Sequence, residues 1–384
     1  MINKIKLFLI IFFILFLKNS FSYEIIRDAI FEDYFSDLSE ELKLKKVNVY
    51  LVNDKSANAF VIYDNIYFTV GLIKEIYNED TIRAIYLHEY GHIKKNHFQI
   101  KKIELTESKY KNNYFNLFSI GIAVVTSNPN IGIGTSISLN NTIVNKISKH
   151  SINFEIEADN FLIDKIKENK INTSELINFL SLYKLNDTNN TYFRTHPRSS
   201  DRINNLKGLN YNLKKNSEIF EWIKAKYSNN SNNKSFNIFF RNLQKGVYNQ
   251  GDKIDKINEQ LIKYEVFKKG LYVHDWHNIF SNLLTINNSS FLKIEYINYL
   301  LDNNLENKYY LIEDLKFNNK VMSEYFYYYI YGKYYNKINK KDLSNFYFCQ
   351  FYKIVDNKNK ADFFCKKYDI KNIPTLDKAY ALFK

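Results

Sequence analysis

The segment Leu87-His88-Glu89-Tyr90-Gly91-His92 constrains the fold more than any other feature of the sequence. Two histidines four residues apart on an α-helix lie on the same face, where their neutral ring nitrogens can bind one zinc ion. Glu89 is placed to accept a proton from a water that such a metal makes acidic. The segment therefore predicts a helix, capped by Asn78 or Asp80 and running through His97, that carries a catalytic metal. The same pattern also occurs by chance in helices of unrelated proteins.

Carboxylates further along the chain are candidates for a third ligand. Glu155 and Asp159 are four residues apart and share a helix face, whereas Glu157 points elsewhere. One of the two can complete a zinc site, and the other can hydrogen-bond the free ring nitrogen of a ligand histidine and so fix its tautomer. The metzincin class is excluded because Lys95 and Phe98 stand where that class has glycine and histidine.

Two other histidines lie outside this set of candidate ligands. His97 is off the metzincin spacing, and we expect it to be a solvated residue. His196 stands in a Thr-His-Pro segment, six residues before Arg202. Near a zinc site, this imidazole and this guanidinium could stabilise the oxyanion that forms when water adds to a peptide carbonyl. On its own, the same segment would be typical of a surface loop.

Residues 1–22 have the layout of a secretory signal peptide. Lys4 and Lys6 precede the apolar run Leu7 to Leu17, and small residues stand before a cleavage site at Tyr23. The run is shorter than the about 20 residues that a membrane-spanning helix needs, although an uncleaved anchor is the alternative. We therefore expect an exported protein, located in the periplasm or secreted.

Export would determine the redox state of the two cysteines, Cys349 and Cys365. In an oxidising compartment they can form a disulfide, and two buried free thiols are the alternative. Neither cysteine belongs to a CxxC pair, so redox catalysis and cysteine-type zinc sites have no support.

Short strands are predicted ahead of the metal-binding helix, and an unusual apolar segment follows it. Residues 47–52 alternate with strand periodicity, and residues 60–62 and 66–70 form a hairpin around 63–65. From Asn112 to Asn145 there is no charged residue, in a chain of which 25% is charged. A buried helical hairpin and an apolar flap that gates substrate or dips into a membrane both fit this segment. A second long helix is expected over 142–168.

The C-terminal half alternates helical segments with Asn-rich turns. It has a faint tetratricopeptide-like pattern near Tyr329 to Tyr335 but no clean 34-residue period, so a helical-repeat scaffold and an irregular helical bundle are both open. The formal net charge is +13. The basic residues are scattered and form no nucleic-acid-binding module, so we expect no nucleic-acid partner.

The motifs HExxH, ExEAD and THPxxxxR occur in this order at His88, Glu155 and Thr195. This order resembles the zinc metallopeptidases of the HtpX and CaaX-prenyl-protease type over residues 47–206. Asn58-Ala59-Phe60 is similar to the family's edge-strand segment. The chain is most similar to the exported, soluble branch that pairs the peptidase with a C-terminal tetratricopeptide domain and acts in outer-membrane protein assembly.

The resemblance implies a role for each matching residue. It implies one zinc ion per chain, bound by His88, His92 and Glu155, with Glu89 as general base and Asp159 hydrogen-bonded to a ligand histidine. His196 would stabilise the transition state or cap the zinc as an inhibitory fourth ligand, with Arg202 as its companion. An edge strand would receive the substrate backbone as an added strand, through residues Asn58, Ala59, Phe60 and Val61.

These observations predict three parts: a signal peptide (1–22), an α+β gluzincin-type metallopeptidase domain (23–209), helical with a small antiparallel sheet, and an all-α, repeat-like interaction domain (210–384). We expect an endopeptidase for misfolded or stalled envelope proteins. The alternatives are a largely latent protease that acts as a chaperone or assembly factor for outer-membrane proteins, and a purely structural zinc module.

Three further expectations concern partners and substrates. The outer-membrane assembly machinery is a candidate partner, and residues 117–139 are candidates for peripheral membrane contact. Tyr63-Asp64-Asn65 replaces the Pro-Gly-Gly that the family often has at the hairpin turn, which changes the expected shape of the substrate groove. The lack of predicted transmembrane helices after the signal argues against intramembrane CaaX processing.

Overall fold

A computed structural model describes residues 22–101, 123–125, 136–140, 152–184, 196, 199–209, 211–247, 259–269, 290–314, 325–354 and 358–374. The predicted signal peptide, apart from Ser22, lies outside these residues. Among the described helices, none is both long enough and apolar enough to cross a membrane.

Strands and helices alternate in the first half of the chain, and only helices follow. The strands are β1 (Ser22–Ile26), β2 (Asn48–Val52), β3 (Ala59–Ile62), β4 (Asn65–Thr69), β5 (Ala123–Val125) and β6 (Ser136–Asn140). The helices up to residue 209 are α1 (Ala29–Glu41), α2 (Val70–Glu75), α3 (Glu79–Lys94), α4 (Ile152–Asn169), α5 (Ser174–Lys184) and α6 (Ser199–Leu206). The later helices are α7 (Glu218–Ser228), α8 (Lys234–Gln244), α9 (Glu259–Lys268), α10 (Ser290–Asp302), α11 (Tyr310–Asp314), α12 (Tyr325–Lys337), α13 (Lys341–Ile354) and α14 (Lys358–Cys365).

The strands form one sheet in the order β3-β4-β2-β1-β6-β5. The expectation of an antiparallel sheet is wrong in one place, because β2 and β4 pair in parallel, with Asn48 opposite Asn65. After β2 the chain runs out to the sheet edge as β3 and returns as β4 between β3 and β2. The predicted hairpin therefore forms, but its second strand is the one that lies beside β2. Within the described part of the chain the sheet is mixed, and β3 is an edge strand.

The core beneath this sheet joins α1, β4 and α3. Phe35 of α1 stacks on Phe68 of β4 with ring centroids 4.8 Å apart, and lies 5.4 Å from the ring of Tyr86 in α3. All three rings are buried. Burying aromatic side chains of this size stabilises the fold by roughly 1.5–3 kcal/mol each. The metal-binding helix predicted from sequence is therefore anchored to the sheet through its apolar face.

The uncharged segment 112–145 contains strands in its described parts, so the alternative of a helical hairpin is wrong there. β5 and β6 pair antiparallel, and β6 pairs with β1, with Ile137 opposite Ile25. Short apolar runs of this length fit a strand as well as a helix. Here β6 forms a strand because it pairs with the side of β1 that faces away from β2. The rest of the segment lies outside the described residues, as does the start of the helix expected over 142–168, which is described from Ile152.

The helices beyond residue 210 pack directly on the N-terminal part. Lys226 of α7 lies 2.7 Å from Asp28, the N-cap of α1, and also contacts Glu265 of α9. Lys268 of α9 lies 2.6 Å from Glu295 of α10. The three carboxylates are buried and the two ammonium groups largely so, and each charge therefore depends on its partner. The division at residue 210 and the repeat-like character of these helices stay predictions.

The two cysteines form a disulfide that joins α13 to α14. The Cα atoms of Cys349 and Cys365 lie 4.9 Å apart. The alternative of two free thiols is therefore wrong.

Candidate metal centre

The helix α3 has clear signals at both ends. Asn78 is its N-cap, with a side-chain oxygen that accepts a hydrogen bond from the backbone N–H of Asp80. Its last turn is followed by Lys95 and by Asn96, which has a φ of 55°. Asparagine tolerates this left-handed conformation better than most residues. The chain reverses direction there, and residues 97–101 form a further helical turn.

A close approach of two helices brings the predicted ligands together. A Cβ atom added to Gly91 of α3 would lie 3.0 Å from the Cα of Ala158 in α4. Glycine at this position lets the two backbones approach closely enough for the ligand side chains of both helices to meet. Any larger residue at 91 would push α4 away from α3.

Four buried side chains converge between α3, α4 and the segment at residue 196. Their donor atoms all lie within 4.8 Å of one another, and they belong to His88, His92, Glu155 and His196. His88 Nε2 lies 3.2 Å from His92 Nε2 and 3.3 Å from His196 Nδ1. The Glu155 carboxylate oxygens lie 3.3 Å from His88 Nε2, 3.4 Å from His92 Nε2 and 3.2 Å from His196 Nδ1.

This geometry fits a tetrahedral zinc ion. Zinc bound to nitrogen and oxygen at about 2.0–2.1 Å places neighbouring ligand atoms about 3.3 Å apart. Five of the six separations between the four donor groups are 3.2–3.4 Å, close to the edges of such a tetrahedron. Two imidazole nitrogens and a carboxylate are also the donor set that catalytic zinc sites use. The residues present therefore fit the metal that the sequence predicts.

Glu89 lies beside these donors. Both of its carboxylate oxygens are buried and have no hydrogen-bond partner among the described residues. The nearest charged or titratable contact is His196 Nε2, 3.4 Å from Oε1. Burial raises the pKa of Glu89 above its ordinary value. A carboxylate in this position is suited to receive and release a proton.

Asp159 and Arg202 contact the candidate metal ligands His88 and Glu155. Asp159 Oδ1 lies 3.0 Å from His88 Nδ1, and Arg202 donates from Nε to the same oxygen at 2.7 Å. Arg202 also donates to Glu155 Oε2 at 2.9 Å. Burial alone would raise the pKa of Asp159, but the Arg202 charge and the His88 contact lower it. Asp159 is therefore placed to hold the proton on Nδ1 of His88. Arg202 contacts both carboxylates, and its Nη2 also lies 3.3 Å from Nε2 of His88.

The prediction for His97 is wrong. Its side chain is buried, and its Nδ1 lies 2.8 Å from Nδ1 of His92. Its Nε2 lies 3.3 Å from Glu157, and its ring stacks on Phe154 with centroids 4.2 Å apart. The left-handed turn at Asn96 returns His97 toward α3, and helical spacing alone could not reveal this contact.

His196 faces the metal site with one nitrogen and the sheet with the other. Its Nδ1 is the donor atom described above, and its Nε2 lies 3.2 Å from the carbonyl oxygen of Ala59. Its sequence neighbours Thr195 and Pro197 lie outside the described residues.

The predicted substrate strand is the edge strand β3. The backbone N–H of Thr69 donates to the carbonyl of Asn58, and Phe60 lies opposite Tyr67 in the same ladder. Because hydrogen-bonding direction alternates along a strand, the backbone groups of Ala59 and Val61 point away from β4. Ala59 and Val61 therefore direct their backbone groups to the outer side of β3, where both residues are buried and the Ala59 carbonyl is contacted by His196.

We expect zinc affinity to depend on pH through His88. Burial alone would lower its pKa, but hydrogen bonds with Asp159 and Glu155 raise it to about 9 in the metal-free site. Zinc binds only the neutral ring, so below this pKa it must displace a proton. The apparent affinity should therefore fall about tenfold for each unit that the pH drops from 8.5 to 6.5.

Competition with a chromophoric chelator measures this dependence. In Asp159→Asn the carboxylate that raises the pKa of His88 is replaced by a neutral amide. Zinc affinity should therefore depend less steeply on pH than in the wild type. An affinity that is constant across this range in the wild type would contradict the assignment.

The comparisons with known proteins agree with this geometry. Residues 27–210 match the family model for Peptidase family M48. The matched range contains all four converging side chains and Glu89, and the match indicates a metallopeptidase. No curated protein matches the chain.

Proposed function

We propose that residues 27–210 form a metallopeptidase domain of Peptidase family M48, with a zinc ion held by His88, His92 and Glu155. The observation that carries the proposal is the convergence of these buried donors at tetrahedral spacing beside the carboxylate of Glu89. A bound zinc ion supplies positive charge that acidifies a water molecule and polarises a peptide carbonyl. A structural zinc site would not need Glu89, which favours a catalytic one.

The chain's own residues supply the proton transfers and the orientation. Glu89 accepts a proton from the attacking water on a carboxylate oxygen and passes it to the leaving amine. Asp159 Oδ1 lies 3.0 Å from Nδ1 of His88 and so favours the tautomer whose Nε2 is free to bind metal. Arg202 fixes the positions of Asp159 and Glu155. Burial of the whole group excludes bulk water, which strengthens each of these interactions.

The position of β3 at the edge of the described sheet supports an extended, unfolded polypeptide as substrate. Ala59 and Val61 direct backbone groups to this edge. Because both residues are buried, an added strand can pair with them only once the part of the chain that covers them moves. Such pairing has little preference for side chains. Together with the signal-like N-terminus, this supports an endopeptidase for misfolded or stalled proteins of the cell envelope.

A largely latent enzyme is the second candidate, and one observation favours it. His196 places Nδ1 at the fourth donor position and Nε2 on the carbonyl oxygen of Ala59. The same side chain thus occupies the site of a fourth ligand and a backbone group that an added substrate strand would need. A substrate can reach both only after His196 moves. A protein in this state would hold unfolded clients more often than it cleaves them.

Cleavage of casein by the full chain tests both candidates. We expect activity that a zinc chelator abolishes and added zinc restores. In His196→Ala the other three ligands remain, so zinc should stay bound while cleavage rises several-fold. Ser200→Ala, an exposed change nearby, should behave as the wild type.

The possible contradictions separate the two ideas. If cleavage falls in His196→Ala at unchanged zinc content, the histidine acts in the transition state and latency is wrong. If the wild type and the variant both cleave casein equally well in excess chelator, the metallopeptidase proposal fails.

A further inference from the structure

We propose that His97 is a positioning residue that fixes the tautomer and ring orientation of the metal ligand His92. The inference rests on the proposed function, since it concerns the same metal site. It assigns a role to a buried histidine that the peptidase motifs do not include. Nδ1 of His88 faces the carboxylate of Asp159, whereas Nδ1 of His92 faces the imidazole of His97.

Proton placement along the contacts supports this role. A histidine that binds metal through Nε2 carries its proton on Nδ1, so the Nδ1–H of His92 must donate a hydrogen bond. Nδ1 of His97 lies 2.8 Å away and can accept it only if the proton of His97 is on Nε2. That Nε2–H then points at Glu157, 3.3 Å away. The N–H group of His92 thus has an acceptor on His97, and the N–H group of His97 has an acceptor on Glu157.

The surroundings of His97 hold its ring in one orientation. The ring is parallel to that of Phe154, with an interplanar angle of 5°, and Phe154 is adjacent to the ligand Glu155. The turn at Asn96 brings the ring back toward α3. Glu157 is half-exposed, with 48% of its side chain accessible, and its carboxylate oxygen lies where it can accept a hydrogen bond from Nε2 of His97. The arrangement therefore resists rotation of both rings.

Two substitutions at His97 separate positioning from packing. His97→Phe keeps the ring and its stacking on Phe154 but cannot accept a hydrogen bond. His97→Asn loses the stacking but keeps an acceptor oxygen near the position of Nδ1. If His97 positions His92, the zinc affinity of His97→Phe should fall by about 10- to 100-fold, as for other supporting partners of metal ligands. His97→Asn should recover most of the wild-type affinity.

Zinc affinity by chelator competition and the visible spectrum of the cobalt-substituted protein are the readouts, both independent of activity. The ligand-field bands should shift in His97→Phe and stay near those of the wild type in His97→Asn. The melting temperature of the metal-free proteins reports packing. We expect it to be higher in His97→Phe than in His97→Asn, the reverse of the order expected for zinc affinity. Glu157→Leu, a change at a half-exposed site, should lower zinc affinity by a smaller factor and tests the same contacts without altering the core.

The outcomes are distinguishable. Wild-type affinity and spectrum in both His97→Phe and Glu157→Leu would overturn the inference while leaving the proposed function intact. If zinc affinity fell as much in His97→Asn as in His97→Phe, the inference would also be overturned, because lost packing would then explain the fall in both variants. A wild-type chain that binds neither zinc nor cobalt would overturn the metal site itself.

Discussion

Replacing Glu89 by glutamine should lower kcat for peptide-bond cleavage by about 10²- to 10⁴-fold, the usual contribution of a general base. The amide has nearly the same shape as the carboxylate but cannot accept a proton from water. Zinc content should be unchanged, because Glu89 is not among the four converging donors. Glu168→Gln, at an exposed position of α4, is the matched control and should keep full activity.

Cleavage and zinc content must be measured on the same preparations. Full activity in Glu89→Gln would mean that another group accepts the proton. Loss of zinc from the variant would instead make Glu89 a ligand and would require a different assignment of the site. Since the burial of an ionised carboxylate is unfavourable, we expect the variant to fold at least as well as the wild type.

Replacing Arg202 by methionine should destabilise the metal-free protein by about 3–5 kcal/mol. Arg202 is buried and contacts the carboxylates of Asp159 at 2.7 Å and Glu155 at 2.9 Å. Methionine fills a similar volume but leaves both carboxylates without this cation. Equilibrium unfolding in urea measures the loss, and zinc should recover part of it by binding only the folded state.

The matched control for Arg202 is Lys165→Met. Lys165 contacts Glu168 at 2.8 Å on the exposed surface of α4, where ion pairs contribute little. We expect its unfolding midpoint to stay near that of the wild type. If Arg202→Met also unfolded at the wild-type midpoint without metal, the buried carboxylates would not depend on the guanidinium.

The parts of the site that local spacing determines could be predicted from sequence. His88 with His92 and Glu155 with Asp159 are pairs four residues apart, so one helix places each pair on one face. The N-cap Asn78 and the hairpin of β3 and β4 also follow from local signals. His97 could not be predicted because its contact depends on the left-handed turn at Asn96, which breaks helical spacing.

The parts of the fold that depend on distant pairing could not be predicted. β6 is determined by its register with β1, more than a hundred residues away, and not by its own composition. The parallel pairing of β2 with β4 depends on β3 taking the edge position. The ion pair of Lys226 with Asp28 likewise joins two helices that are far apart in sequence, and no local pattern predicts it.

The central claim, a metal site built by α3 and α4 for catalysis, is tested most directly by the metal content of the full chain purified without added metal. Elemental analysis should find about one zinc ion per chain, retained through dialysis at neutral pH, as expected for a site with three protein ligands. A chain that is folded by circular dichroism but holds no zinc, and takes up none when zinc is supplied, would contradict the account.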